Sequence, residues 1–423
     1  MTKNCTLKYL LFFSCILVAI SVCVFIMNVQ QQKEPRILKR METGDFAYRQ
    51  LSSENTEGMD LTNKSYDKKI DTSDNIGKVE ARRSLLIFGE DRSGTTFTTA
   101  IFAQDPKIFL VYEPLWITQD FKFRKAGFNC SNCELEVVNA IVSCKFSRYH
   151  SVSAGFLPQV ENSWTAASPI NIFKTKPFCN LSSQSEVNCS KMLKNPNFVD
   201  RICKEKFKHS VVKVSPFRLP RQKLADLVPQ VLLENPETEV RILHLLRDPR
   251  GIINSRIDIE WIPEYPHRSL VGNARKLCDA MLSDLEHVER TLEKFNLTRR
   301  YKSVRYSQLA EDPVGTAKDI YKFAGFEFPP VVEEWIIRST TPSKKQLKKE
   351  LGNPYSTVRN ATGNAYKWRN DNLFPRNQAI ERECRPLMNR LGLKEVPQPL
   401  QKKPKRILNN TDSGLEDVQT MHS

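Results

Sequence analysis

The stretch "LLIFGEDRSGTTF", Leu85–Phe97, decides how the rest of the chain is read. The apolar run Ser84–Phe88 has the character of a buried strand, and it stops at Gly89. After four intervening residues comes Gly94, followed by Thr95 and Thr96, and then Phe97, Ala100 and Ile101 at helical spacing. Strand, glycine turn and helix form the geometry in which backbone N–H groups converge on a phosphate. The spacing from Gly89 to Thr96 is that of a P-loop, but Thr95 stands where a nucleotide-hydrolysing loop has lysine. An arginine, Arg92, lies on the other side of Gly94. Such a loop suits an anion that has no γ-phosphate and needs no metal. Alone it is a weak signal, because structural turns share its composition.

Around this loop, short apolar runs alternate with amphipathic helices, which predicts an α/β fold with a parallel sheet flanked by helices. Ser210–Ser215, Val240–Leu246 and Lys302–Tyr306 read as further strands. A long helix carries Leu277, Met281, Leu285, Val288, Leu292 and Phe295 on one stripe. Asp312 followed by Pro313 reads as a helix start. The stretch from about residue 130 to 203 is cysteine-rich and weakly periodic, and reads as a disulfide-tied insertion in a catalytic domain spanning 83–395.

A second motif strengthens the first. "LLRDPRGIINSR", Leu245–Arg256, puts Arg247 at the C-terminal end of a strand, where open α/β sheets bind ligands. Ser255 follows eight residues later. A turn and a first helical segment can bring its hydroxyl back beside Arg247. Arginine offers a planar fork for a phosphate and serine a further donor. A surface Arg–Asp pair with Asp248 as a helix cap also explains this motif taken singly, but explains both motifs poorly.

The ends of the chain speak to compartment. Tyr9–Met27 is uncharged and about the length that crosses a bilayer, preceded by a tail of residues 1–8. It reads as a retained signal anchor. Residues 28–82 are polar and read as a flexible stem, and 396–423 as a disordered tail. Beyond the span lie sequons at Asn63, Asn129, Asn180, Asn188, Asn296, Asn360 and Asn409, each a candidate glycosylation site. The cysteines beyond the span (Cys130, Cys133, Cys144, Cys179, Cys189, Cys203, Cys278 and Cys384) form an even set suited to disulfides in an oxidising compartment. The chain therefore reads as a lumenal body on a single-pass membrane tether. Its formal charge of +16 favours acidic partners. By charge alone nucleic acid, anionic membrane and acidic polysaccharide all fit, and a homo-oligomer is compatible with the chain.

At these motifs a family resemblance emerges. "RSGTTFT", Arg92–Thr98, resembles the 5′-phosphosulfate loop of Golgi carbohydrate sulfotransferases, and "RDPRGIINS", Arg247–Ser255, resembles their 3′-phosphate motif. "YEPLW" (Tyr112–Trp116), "VRYSQLAEDP" (Val304–Pro313), "FAGF" (Phe323–Phe326), "RNATGNAYKWR" (Arg359–Arg369) and "CRPLMNRLGL" (Cys384–Leu393) add to it in order. The likeness is greatest to the branch that sulfates the 6-hydroxyl of galactose, N-acetylglucosamine or N-acetylgalactosamine, as in keratan or chondroitin chains. It departs mildly, with Thr95 and Thr96 where the family usually has serines.

The resemblance implies a Golgi-membrane enzyme of type II topology, with a glycan or glycosaminoglycan acceptor and no nucleic acid partner. The implied donor is 3′-phosphoadenosine 5′-phosphosulfate, with no metal. It places the donor against Arg92, Ser93, Gly94, Thr95, Thr96, Phe97 and Thr98, and against Arg247, Asp248, Pro249, Arg250, Gly251, Ile252, Ile253, Asn254 and Ser255. Arg92 would neutralise charge on the bridging oxygen, and Arg247 and Ser255 would grip the 3′-phosphate. Glu113, in the "EP" of "VYEPLW", is the candidate base, with a salt-bridged structural glutamate as the competing reading. His244 reads as a core residue. Two other functions compete: a P-loop kinase-like enzyme, disfavoured by the missing lysine, and a non-catalytic lumenal glycan-binding membrane protein.

Overall fold

The parallel sheet expected from the apolar runs is present, with five strands in the order β2-β3-β1-β4-β5. The structure is a computed structural model that describes residues 82–119, 132–160, 172–175, 177–178, 192–219, 224–265, 267–350, 353, 356–370 and 373–397. The expected anchor Tyr9–Met27, nearly all of the stem and the tail from Gln398 onward lie outside the described residues. Among the described residues, no helix is long and apolar enough to cross a membrane.

The strands are β1 (Arg83–Phe88), β2 (Ile108–Tyr112), β3 (His209–Val214), β4 (Glu239–Leu246) and β5 (Tyr301–Arg305). All four pairings are parallel, and β1 is central, with Leu85 opposite Val211 on one side and Arg241 on the other. Both faces of the sheet are covered. Leu86, Phe88, Val212, Val214, Val240 and Ile242 pack into one core cluster, while Leu85, Ile87, Val211, Leu243 and Leu245 pack into the other. That strict alternation is the two-residue period of a strand buried on both sides.

The helices that matter here are α1 (Thr95–Phe102), α2 (Cys133–Ser143), α3 (Pro196–Lys206), α4 (Leu224–Glu234) and α5 (Pro249–Ile257). They continue with α6 (His267–Lys294), α7 (Tyr306–Glu311), α8 (Pro313–Ala324), α9 (Pro330–Thr340), α10 (Ala361–Tyr366) and α11 (Phe374–Arg390). Helices α1, α8 and α9 cover one face of the sheet; α2, α3 and α4 cover the other. A third cluster joins α5, α6 and α11 beside it. Asp312 caps α8 as expected, accepting from the Gly315 N–H at 2.9 Å.

Two expectations are corrected. Phe295 lies one residue past the end of α6 and is 41% exposed, whereas the other five stripe residues are buried. Tyr306 opens α7 instead of ending β5. Within the cysteine-rich stretch 130–203, the described residues Val137, Val138, Ile141, Phe146, Val152, Phe156 and Phe173 form part of the core under the sheet. The periodicity of these described residues is weak because they belong to α2, α3 and short 3₁₀ and π turns. Cys144–Cys203 crosslinks this layer, and Cys278–Cys384 joins α6 to α11.

Candidate active site

Because the strands are parallel, the loops after β1 and β4 leave the same edge of adjacent strands. After β1, Arg92 and Gly94 both take positive φ, 74° and 99°. Gly94 is the N-cap of α1 in the left-handed region. A Cβ there would lie 2.3 Å from the Tyr306 ring, so glycine is required for space as well as for φ. The threonines after it tie down the helix start. Thr98 Oγ1 donates to the Gly94 carbonyl at 3.2 Å, and Thr96 Oγ1 lies 2.9 Å from the Tyr112 hydroxyl. Ser93 is fully buried, and its Oγ has no hydrogen-bond partner among the described residues.

After β4, Asp248 caps α5 by accepting from the Arg250 N–H at 2.9 Å. The Arg250 guanidinium turns inward. It is 2% exposed, donates to Asp248 at 2.7 Å, to Glu381 at 2.6 Å and to the Lys394 carbonyl at 2.8 Å, and lies over the Trp368 ring. Ile252 and Ile253 are fully buried against α6 and α11, and Pro249 is buried at the first turn. The side chains of Asp248, Pro249, Arg250, Ile252 and Ile253, expected against the donor, are thus engaged with the protein itself. A helix can present only one side to a ligand, and these residues anchor the other. Arg247, Gly251, Asn254 and Ser255 line the cavity.

Both motifs meet at Arg92, Arg247 and Ser255, which line that cavity and also an adjoining one with Gly94, Thr95, Thr96 and Phe97. Arg247 Nη1 donates to the Arg92 carbonyl at 2.6 Å, and Arg92 Nε donates to the Ser255 hydroxyl at 3.0 Å. Arg256 adds a bond to Glu90 at 2.8 Å. The Arg247 guanidinium lies 4.6 Å from the centre of the Tyr306 ring, and its Nε has no hydrogen-bond partner among the described residues. Burial draws the Arg247 pKa below that of free arginine.

Sequence reasoning assigned no role to a third wall. Arg359 lines the adjoining cavity with Ser356, Asn364 and Tyr306. It donates to the Ser356 carbonyl at 2.8 Å, and Asn364 Nδ2 donates to the Tyr306 hydroxyl at 3.0 Å. The available signal was a basic residue beside an N-cap, Asn360, in the segment "RNATGNAYKWR".

Glu113 stands to one side at the end of β2, with φ 47°. Its N–H donates to the Lys213 carbonyl at 3.1 Å, and its carboxylate accepts from the Lys213 ammonium. Ser215 and, through it, Asp91 of the glycine loop complete a buried cluster. Glu113 is salt-bridged to Lys213, and the cluster links it to the loop that carries Arg92. His244 is buried as expected; burial drops its pKa to about 3, and its Nδ1 lies 2.7 Å from the Tyr301 hydroxyl. Of the sequons, Asn296 and Asn360 fall within the described residues, and the other five lie outside them. Asn360 caps α10, accepting from the Gly363 N–H at 2.8 Å, at the rim of the cavity.

Parallel sheet, glycine loop and two facing arginine motifs define an α/β protein with an arginine-lined cavity at one edge of its sheet. Residues 82–392 match the family model described as a sulfotransferase domain. The chain belongs to the sulfotransferase family, and its similarity runs broadly into the carbohydrate sulfotransferases. It is 26% identical over 339 residues to mouse carbohydrate sulfotransferase 3, covering 74% of this chain and 68% of that protein. With zebrafish carbohydrate sulfotransferase 1 it shares 24% identity over 387 residues, covering 84% and 87%. Among solved structures, the sulfotransferase domain of the Synechococcus PCC 7002 olefin synthase aligns with 74% of this chain and 96% of its own, at 16% identity and a TM-score of 0.38.

Proposed function

We propose that the chain transfers a sulfuryl group from 3′-phosphoadenosine 5′-phosphosulfate to a sugar hydroxyl. The acceptor we infer is the 6-hydroxyl of galactose, N-acetylglucosamine or N-acetylgalactosamine in a glycoprotein glycan or glycosaminoglycan. One observation carries the reading: Arg247, Arg92 and Ser255 bond to one another across two motifs and line a common cavity. The carbohydrate sulfotransferases that the chain resembles support a sugar acceptor.

The residues present fit such a donor. Ser93 Oγ and Arg247 Nε are buried donors without a protein acceptor among the described residues. Leaving such a group unsatisfied costs about 1–3 kcal/mol, which an anionic oxygen relieves. The Ser93 N–H is taken by the Glu90 carbonyl at 2.9 Å, so the N–H groups of Gly94, Thr95 and Thr96, at the start of α1, suit the 5′ side of the donor; a helix N-terminus contributes about 0.3–1 kcal/mol toward an anion. Arg247 and Ser255 suit the 3′-phosphate, and Arg92 the bridging oxygen on which charge grows as the sulfur–oxygen bond breaks. Glu113 takes the proton of the acceptor hydroxyl as its oxygen attacks sulfur. The scheme requires no metal.

The compartment we propose is the Golgi lumen, with the chain held by a single membrane span. Two buried disulfides support an oxidising compartment, and the basic net charge suits an acidic acceptor chain. The test is to incubate the chain from residue 28 onward with sulfate-labelled donor and a panel of defined glycans, then map the sulfated carbon. Label on carbon 6 of a hexose is the expected result. Transfer to tyrosyl peptides alone would overturn the acceptor, and glycan binding without donor-dependent transfer would leave a lectin.

A further inference from the structure

Among the described residues Lys213 is the one fully buried lysine in the strands, 1% exposed near the end of β3, and sulfuryl transfer as proposed gives it no task. Its neighbours Val211, Val212 and Val214 fill the core on both faces of the sheet. A fourth apolar residue would complete the run, and replacing a buried ion pair by well-packed apolar side chains is often neutral or stabilising. Stability therefore does not explain the lysine; its surroundings point elsewhere.

Every charged or titratable group that faces the ammonium comes from the reacting edge of the sheet. Glu113 and Tyr112 come from β2: the carboxylate accepts from Nζ, and the phenol ring centre lies 5.4 Å away. Asp91 Oδ1, from the glycine loop, is 3.6 Å away, and Glu90 acts on it electrostatically from the same loop. Ser215 accepts from Nζ at 2.6 Å and donates to Asp91 at 2.7 Å. Lys213 and Ser215 both engage Oε1 of Glu113. Glu113 itself sits at φ 47°, a left-handed conformation that a non-glycine residue keeps only when its surroundings hold it.

We infer that Lys213 is a positioning residue for sulfuryl transfer: it holds the Glu113 carboxylate in a direct ion pair and, through Ser215 and Asp91, fixes it relative to the loop bearing Arg92. The inference rests on the reading of Glu113 as proton acceptor. Burial pulls the ammonium toward neutrality, but Glu113, Tyr112 and Asp91 outweigh it and hold Lys213 above the ordinary lysine range. It is therefore a fixed cation across any assay pH. Deleting it leaves a buried carboxylate with its cation gone, which raises that carboxylate's pKa.

The test is the pH dependence of kcat for the lumenal chain with sulfate-labelled donor, comparing wild type with Lys213→Met, Lys213→Arg and Ser215→Ala. Absence of donor-dependent transfer by the wild type would defeat the underlying reading, whatever the variants do. With an active wild type, Lys213→Met should lose about 10²-fold in kcat at neutral pH, within the range of general-base catalysis. Its acid limb should move to higher pH while the donor KM stays close to wild type. Lys213→Arg should return the limb toward its wild-type position. Ser215→Ala, a smaller change, gives a readout should Lys213→Met not fold, and should move the limb in the same direction. An acid limb that stays in place in the folded variants, with lower thermal stability as the only change, would reduce Lys213 to a scaffold residue and overturn the inference.

Discussion

Arg92 Nε donates to Ser255 Oγ at 3.0 Å, so a residue of the loop after β1 is bound to one from the helix after β4. The partners lie 163 positions apart in sequence. This bond makes the two anion-directed motifs a single site, and it brings the groups assigned to the two ends of the donor into contact. Any change at one motif should therefore be felt at the other.

Arg92→Ala should lower turnover by about 10²–10³-fold, the usual loss when a preorganised donor to the transition state is removed. Ser255→Ala should weaken donor binding by roughly tenfold or more, as expected for a hydrogen bond to a charged group. Steady-state kinetics and calorimetry on each variant separate the two effects. Equal losses in kcat for both would contradict the division of roles.

Arg247 carries the assignment of the 3′-phosphate. Wild type should bind adenosine 3′,5′-bisphosphate far more tightly than adenosine 5′-phosphate, and Arg247→Ala should erase that difference. Arg247→Lys should recover little, because a lysine cannot reproduce the fork that bonds the Arg92 carbonyl and lies over Tyr306. Calorimetry with the two nucleotides is the check. An unchanged ratio in Arg247→Ala would place the 3′-phosphate elsewhere.

Arg250 should behave differently although it lies in the same motif. Its guanidinium is paired with Asp248 and Glu381 inside the core, so Arg250→Ala strands buried carboxylates and should cost about 3–5 kcal/mol of stability. Donor affinity of the folded fraction should be near wild type. Urea unfolding beside nucleotide titration tests both halves of the statement.

His244 makes acid stability measurable. Its folded-state pKa is depressed to about 3, against an ordinary value near 6.5, so the unfolded chain takes up the proton first as pH falls. Stability from this residue is complete above the unfolded value and drains away between there and the folded value, at up to about 1.4 kcal/mol per pH unit. His244→Gln should flatten the stability curve in that interval. A curve of unchanged slope would show that the imidazole is not the group responsible.

The Cys278–Cys384 bond closes a long loop, 106 residues in separation, and ties α6 to α11 in the cluster that supports α5. Replacing both cysteines by alanine should cost about 2–5 kcal/mol. Because α5 carries Ser255, donor binding should weaken as that support loosens. Thermal melts with and without nucleotide distinguish lost stability from lost affinity.

The sheet, the glycine loop and the position of Arg247 at a strand end were legible in the sequence. Each depends on neighbours in the chain: apolar alternation reports a strand, and a glycine at φ 99° reports a turn that side chains resist. The pairing of charges was not legible. Nothing near Arg250 announces Glu381, 131 residues on, and nothing near Glu113 announces Lys213, 100 residues on. The same holds for the wall formed by Arg359, Asn364 and Tyr306. Local patterns are dictated by backbone sterics within a few residues. Which cations face a ligand and which neutralise a buried carboxylate is set by distance and burial in the folded chain, and folding alone brings those partners together.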